Sequence, residues 1–255
     1  MIVFRFLYSF YALLVFFVFA IPILFGYVSL KFLPYKKQIG GAYFLNRILV
    51  FIVAFFTFYR FKISGIEKID LSRNWIVVCN HNNLMDIFAA AYGIRINAKP
   101  LVKKENSRIP ILGQLFQLAC LLVDRSSKDS REMANKVLKE ELEMGGSILI
   151  FPEGTRNRTN KPLKPFYNGA FDLSLETGVP ILPIVFTNIR KIGRPDSLLI
   201  SPGIIEINYL NPIFPDNDDK YNVEGFKQIC FNEMESFLLK NDNEFKKALQ
   251  IESND

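Results

Sequence analysis

The sequence predicts an α/β fold: a mixed, largely parallel sheet flanked by helices, preceded by an N-terminal hydrophobic helical membrane anchor. Three observations carry this reading. Phe6 to Leu30 is a run of 25 residues without a charge, long enough to cross roughly 30 Å of hydrocarbon as a helix. From about residue 62 onward, short strand-like runs alternate with amphipathic stretches. Between 121 and 151 the order strand, helix, strand makes a βαβ unit, whose strands have to run parallel. The chain therefore divides into a membrane-anchoring helical segment, 1–61, and an α/β domain, 62–255.

In the anchor, Arg5 and Lys31 bracket the first uncharged run. It is too long for a signal peptide and lacks a small-residue cleavage site. Pro22 interrupts it and predicts a kink or a reversal of the chain. A second uncharged run, Ile48 to Tyr59, holds 12 residues, too few to span but suited to the interface or to one leaflet. Two arrangements fit: the first run spans, or both runs form a helical pair dipping into one leaflet. A buried soluble pair fits less well, because Phe, Leu and Val continue around every face. Lys31, Lys36 and Lys37 against Arg5 put the C-terminal side of the first run, and the α/β domain after it, on the cytoplasmic face of the cell membrane.

Charge distribution points the same way. The formal net charge is +6. Residues 1–62 hold seven Lys/Arg and no acidic residue, whereas the remaining 24 basic and 25 acidic residues nearly cancel. A nucleic-acid binder concentrates its basic charge on the folded domain, so nucleic acid is not the expected partner. Membrane lipids with anionic headgroups are. The three cysteines, Cys79, Cys120 and Cys230, stand far apart in apolar surroundings, which predicts small buried hydrophobes rather than a disulfide framework or a zinc site.

Within the α/β domain, strands are predicted at 75–79, 121–123, 147–151, 181–186 and 204–209, with a short one around 99–103. A helix is predicted from Ser127 to Met144, with Met133, Ala134, Val137, Leu138 and Leu142 on one face and Gly145-Gly146 ending it. A second follows the strand at 75, over Ile87 to Tyr92, and a C-terminal amphipathic helix runs from Phe226 to Lys247. Polar residues gather where strands end: Asn80-His81, Asp124-Arg125, Pro152 to Arg156, and Thr187-Asn188. In open α/β sheets ligands bind beyond the carboxyl ends of the strands. If the strands run parallel, a base, carboxylates and two arginines converge on one edge.

His81 is the single histidine in the chain, and Asp86 follows it in the stretch Asn80 to Asp86. Residues five apart on a regular helix point about 140° apart. The two side chains can meet only if His81 sits in the turn and Asp86 in the first turns of the following helix, which Asn80 to Asn83 permit. Asp86 would then orient the imidazole, leaving its other nitrogen to take a proton from a substrate hydroxyl. No neighbouring side chain makes an obvious nucleophile, so direct attack by the substrate is expected. Phe151 to Arg156 supplies a glycine free to adopt positive φ, backbone donors, and an arginine suited to bidentate phosphate binding. Arg158, Lys161 and Lys164 follow, the first two expected in solvent.

These residues carry a resemblance. His-x-x-x-x-Asp at 81–86, Val123-Asp124-Arg125, Phe151-Pro152-Glu153-Gly154-Thr155-Arg156 and Val179-Pro180-Ile181-Leu182-Pro183 resemble, in this order, the four motifs of the glycerolipid acyltransferases. The chain is similar to the bacterial 1-acylglycerol-3-phosphate acyltransferases over roughly residues 63–210. Lys103-Lys104-Glu105 and Ile109 to Gly113 resemble the segment between the first two motifs. The resemblance implies that 62–255 is a catalytic domain with His81 as base and Asp86 as its orienter. It implies that Glu153, Gly154, Thr155, Arg156 and Arg125 bind the glycerol phosphate, and that Lys103 helps at the phosphate or the thioester oxygen. It further implies lysophosphatidate as acceptor, acyl-CoA or acyl-carrier protein as donor, phosphatidate as product, and neither metal nor cofactor. The family often has Ser two residues after His where this chain has Asn83. It often has an upstream Gly and Phe-Ile where this chain has Leu121-Leu122-Val123. Both departures leave room for glycerol 3-phosphate or another lysophospholipid as acceptor.

Two other readings stand beside this one. Metal-assisted phosphate-ester hydrolysis would need His81, Asp86, Asp124 and Glu153 as ligands, a poor set with one histidine and scattered carboxylates. A membrane lipid-binding protein without turnover would have no need of the intact His81–Asp86 pair.

Overall fold

The computed structural model describes residues 2–109, 112–124, 127–215 and 222–246. Seven strands among them form one sheet: β1 (Arg60–Ser64), β2 (Ile76–Cys79), β3 (Ala98–Lys103), β4 (Leu121–Val123), β5 (Ser147–Ile150), β6 (Ile181–Thr187) and β7 (Ile204–Tyr209). Their order is β1-β7-β6-β2-β5-β3-β4. Every pairing is parallel except β6 with β7. The carboxyl ends of β6, β2, β5, β3 and β4 therefore share one edge, as the strand-end pattern predicts.

Period-two alternation splits the strand residues between two cores. Val77, Cys79, Leu149, Leu182, Ile184 and Phe186 pack on one face with α3 (Met85–Gly93). Ile76, Val78, Ile148, Ile150, Ile181 and Val185 pack on the other with α5 (Lys128–Glu143), α6 (Gly169–Thr177) and α8 (Val223–Asn241). All residues of β2, β5 and β6 are buried, which explains why these runs read as continuously apolar. Ser127 caps α5, its Oγ accepting from Ser130 N at 3.1 Å. Ala134, Leu138 and Leu142 of that helix are buried while Met133 and Val137 are exposed, so the apolar stripe is narrower than its sequence implies. Short helices α4 (Leu112–Ala119) and α7 (Ile189–Ile192) complete the domain.

The structure corrects the sequence reading in several places. β1 was not expected; its residues alternate exposed and half-buried at the sheet edge, so Arg60-Phe61-Lys62 lacks the apolar run of an inner strand. β4 and β5 are parallel, but β3 lies between them. Helix α1 (Ile2–Leu30) continues through Pro22, and the chain reverses at 31–34 instead. The second apolar segment is a 22-residue helix, α2 (Tyr35–Phe56), not a 12-residue one. Its first half is polar enough to break the uncharged run without breaking the helix.

α1 and α2 lie antiparallel: Tyr8 Oη donates to Thr57 O at 2.5 Å near one end and Tyr27 Oη to Ala42 O at 3.1 Å near the other. At the turn end the helices approach closely: a Cβ on Gly41 would meet the tip of the Leu30 side chain at 2.3 Å. The pair also lies along the α/β domain rather than projecting from it. Tyr43 Oη donates to Ile94 O at 2.5 Å, Phe16 packs edge-on against Phe88 at 6.1 Å, and Tyr8, Ala12 and Ala54 belong to the sheet's own core. The opposite face leaves Phe6, Phe10, Phe25, Phe44, Phe51 and Phe55 exposed.

Candidate active site

The chain leaves β2 at Cys79 and reaches α3 through a short connection whose asparagines each have a task. Asn80 ties the connection to β6, donating to Phe186 O at 3.0 Å and accepting from Phe186 N at 2.8 Å. Asn83 Oδ1 accepts from Met85 N at 2.8 Å as the helix opens. α3 begins at Met85, so Asp86 lies in its first turn and His81 lies before it. The five-residue spacing therefore brings the two side chains together.

His81 Nδ1 is 2.7 Å from Asp86 Oδ2. The same oxygen accepts from the backbone N–H groups of Asn82 (2.5 Å) and Asn83 (2.8 Å). Asp86 Oδ1 is buried without a partner among the described residues. Burial raises the Asp86 carboxyl above its ordinary range, and the bonds from His81, Asn82 and Asn83 oppose that. A carboxylate accepting at Nδ1 assigns the imidazole proton to that nitrogen. Nε2 then carries the lone pair and has no partner among the described residues. The His81 side chain is 19% exposed, enough to meet a ligand, and it stacks on Phe151 at 4.4 Å.

The loop after β5 wraps around His81. Glu153 Oε1 accepts from His81 N at 2.7 Å and Oε2 from Lys164 N at 3.0 Å. Asn157 N donates to His81 O at 2.7 Å. Glu153 is only 1% exposed, and burial pushes its pKa up to about 7 despite the two backbone bonds. With both oxygens taken by backbone N–H groups and the side chain buried, Glu153 ties the two loops together. Gly154 adopts φ +70°, and a Cβ there would meet the Tyr167 ring at 2.6 Å. Thr155 is exposed, its Oγ accepting from Lys164 Nζ at 2.6 Å. Arg156 is half-buried and has no hydrogen-bond or ion-pair partner among the described residues.

β5 is a direct neighbour of β2 and β3 is next beyond it, so Lys103, exposed at the end of β3, lies on the same edge. Arg125 lies outside the described residues. Arg158 and Lys161 are exposed. Asp124 follows β4, three strands from β2, and lines a separate groove of about 350 Å³ with Lys104, Ser107 and Gln117. Among the described residues no three His, Cys, Asp or Glu side chains gather into a group that could hold a metal ion. Sequence reasoning missed the buried polar residues behind the loops, Asn157 and Arg190. Nothing local separates Arg190 from Lys191 or Arg194; only its burial in the fold does.

The sequence model of the Acyltransferase family matches residues 60–187, which contain both loops. The chain is also 32% identical over 178 residues to the 1-acyl-sn-glycerol-3-phosphate acyltransferase of Escherichia coli, covering 67% of this chain and 69% of that one. This chain belongs to the acyltransferase family. It is 34% identical over 160 residues to the enzyme of the same name from Cocos nucifera. That match covers 60% of this chain and 50% of the coconut protein, so the chain spans about half the length of that relative. In three dimensions it resembles the crystal structure of the 1-acyl-sn-glycerophosphate acyltransferase of Thermotoga maritima. The TM-score is 0.74 with 21% identity, covering 92% of this chain and 97% of that one; at that identity the likeness concerns the fold.

Proposed function

We propose that the chain moves a fatty acyl group from a thioester, acyl-CoA or acyl-carrier protein, to the sn-2 hydroxyl of lysophosphatidate, giving phosphatidate. The observation that carries this reading is the His81–Asp86 pair with Nε2 unpartnered, held one strand from a loop presenting Thr155, Arg156 and Lys164. The names of the relatives support the acceptor. Arg156 and Lys164, with Lys103 across the edge, hold the acceptor phosphate. Gly154 lets the loop turn, and Glu153 fixes it to the His81 backbone. His81 Nε2 takes the hydroxyl proton as the oxygen attacks the thioester carbonyl. Asp86 stabilises the imidazolium that forms. Collapse of the tetrahedral intermediate breaks the C–S bond, and the departing thiolate recovers the proton from His81. The scheme uses neither metal nor cofactor.

Helix α1 is long and apolar enough to cross a membrane by length and composition. The contacts of α1 and α2 along the α/β domain favour the other arrangement, in which the pair lies in one leaflet through its exposed Phe face, with the site on the cytoplasmic side. Acceptor and product are then met where they reside.

The test is an assay of the purified chain in detergent with an acyl-CoA and, separately, lysophosphatidate, glycerol 3-phosphate and lysophosphatidylcholine. Turnover of lysophosphatidate well above the other two is expected. Preference for glycerol 3-phosphate or lysophosphatidylcholine would move the acceptor assignment. Binding of lysophosphatidate without turnover would leave a lipid-binding protein.

A further inference from the structure

Arg190 is a buried cation, 7% exposed, on the short helix α7 that follows β6. Burying a guanidinium is unfavourable unless its donors are all used, and here they are spent on the two loops of the site. Nε donates to Asn82 Oδ1 at 2.8 Å. Nη1 donates to Thr159 O at 2.8 Å, and Nη2 to Asn157 O at 3.3 Å and Lys161 O at 3.4 Å. The C-terminal segment closes over it. Glu244 lies 3.6 Å from Nη1, and the Phe245 ring stands 5.1 Å from the guanidinium carbon.

The bonds on either side of Arg190 end on the reacting groups. Asn82, held through its side chain, gives its backbone N–H to Asp86 Oδ2, the oxygen that also holds His81 Nδ1. Asn157, held through its carbonyl, follows Arg156 directly and gives its own N–H to His81 O. We infer that Arg190 is a positioning residue that sets the phosphate-binding loop and the base loop in register. A planar five-donor fork suits the task because its targets lie in several directions. This rests on the acyl-transfer reading for its kinetic consequence but not for its structural one.

The experiment uses the full chain in detergent with Arg190→Lys and Arg190→Gln. Lysine keeps the charge but not the fork, so it carries the test even if the glutamine variant fails to fold. Two readouts are taken. The first is steady-state kinetics: kcat down and acceptor KM up, each by about tenfold, with donor KM unchanged. The second is the low-field proton resonance of the His81 Nδ1–H···Asp86 bond, unambiguous in a chain with one histidine, which weakens or shifts in both variants. A folded variant that keeps this resonance and both KM values, losing only overall activity or stability, overturns the inference. If the resonance moves in the variants but the wild type acylates none of the acceptors offered, the positioning role stands and the acyl-transfer reading falls.

Discussion

Glu153 Oε1 accepts the backbone N–H of His81 at 2.7 Å, so the glutamate of the loop after β5 holds the main chain of the residue proposed as the base. The pair joins the ends of two adjacent strands, β5 and β2, into one site. Because the other Glu153 oxygen holds Lys164 N at 3.0 Å, the same carboxylate also fixes the far end of the loop carrying Arg156.

The clamp is pH-sensitive. Folding raises the Glu153 pKa from 4.5 to about 7. The stability linked to the protonated, uncharged side chain is therefore fully present below pH 4.5 and lost as pH rises through 7, where the fold must bury the charge; the two backbone bonds favour the carboxylate and offset only part of that cost. Relative to Glu153→Gln, which does not ionise, the wild type should lose about 3 kcal/mol of stability across this window. Denaturant unfolding at several pH values measures it; a pH-independent difference refutes the shift. The glutamine amide also cannot accept a backbone N–H at its nitrogen, so kcat should fall in this variant.

His81→Ala should lower acyl transfer by at least about a hundredfold while leaving membrane association close to wild type. Initial rates and vesicle sedimentation on one preparation check both halves. Near-normal turnover would end the assignment of His81 as base.

Arg156 has no hydrogen-bond or ion-pair partner among the described residues, so its removal should leave the fold alone and weaken the acceptor. Arg156→Ala should raise the acceptor KM by about tenfold or more with a smaller change in kcat. An unchanged acceptor KM would show that the phosphate sits elsewhere.

Gly154→Ala places a Cβ at φ +70° and 2.6 Å from the Tyr167 ring. The backbone term should destabilise by about 1–2 kcal/mol. Tyr167 is 70% exposed, so its ring can swing away, and adding Tyr167→Ala should recover only the steric part. Full recovery in the double variant would show that the positive φ carries no strain.

On the outer face of α2, Phe51 and Phe55 are 61% and 69% exposed. Replacing both with Ser should weaken binding to phospholipid vesicles by at least about a hundredfold without shifting the unfolding transition. Unimpaired binding would place the membrane contact on another surface.

How much of this was legible in the sequence depended on whether neighbours in space were neighbours in the chain. The inner strands were readable because burial on both faces makes their runs continuously apolar. Helix geometry set the condition for His81 and Asp86 to meet, one in the turn and the other in the first turn of α3, and the structure meets it. β1 was not readable, because an edge strand with two apolar residues looks like a linker. The length of α2 was hidden because polar residues interrupt an apolar run long before they interrupt a helix.

The sequence alone fixes the α/β class, the polar strand ends that a parallel sheet gathers on one edge, and an N-terminal run long and apolar enough to cross a membrane. Tertiary structure alone decided the roles of groups whose partners are distant. Glu153 became an inward clamp because a carboxylate at the interface of two loops meets backbone N–H groups first. Arg190 became a buried tie because a strand order that puts β6 beside β2 brings residue 190 within 2.8 Å of Asn82. Local patterns encode burial and turn geometry, whereas a hydrogen bond across 108 residues exists only once the sheet has set the register of both loops.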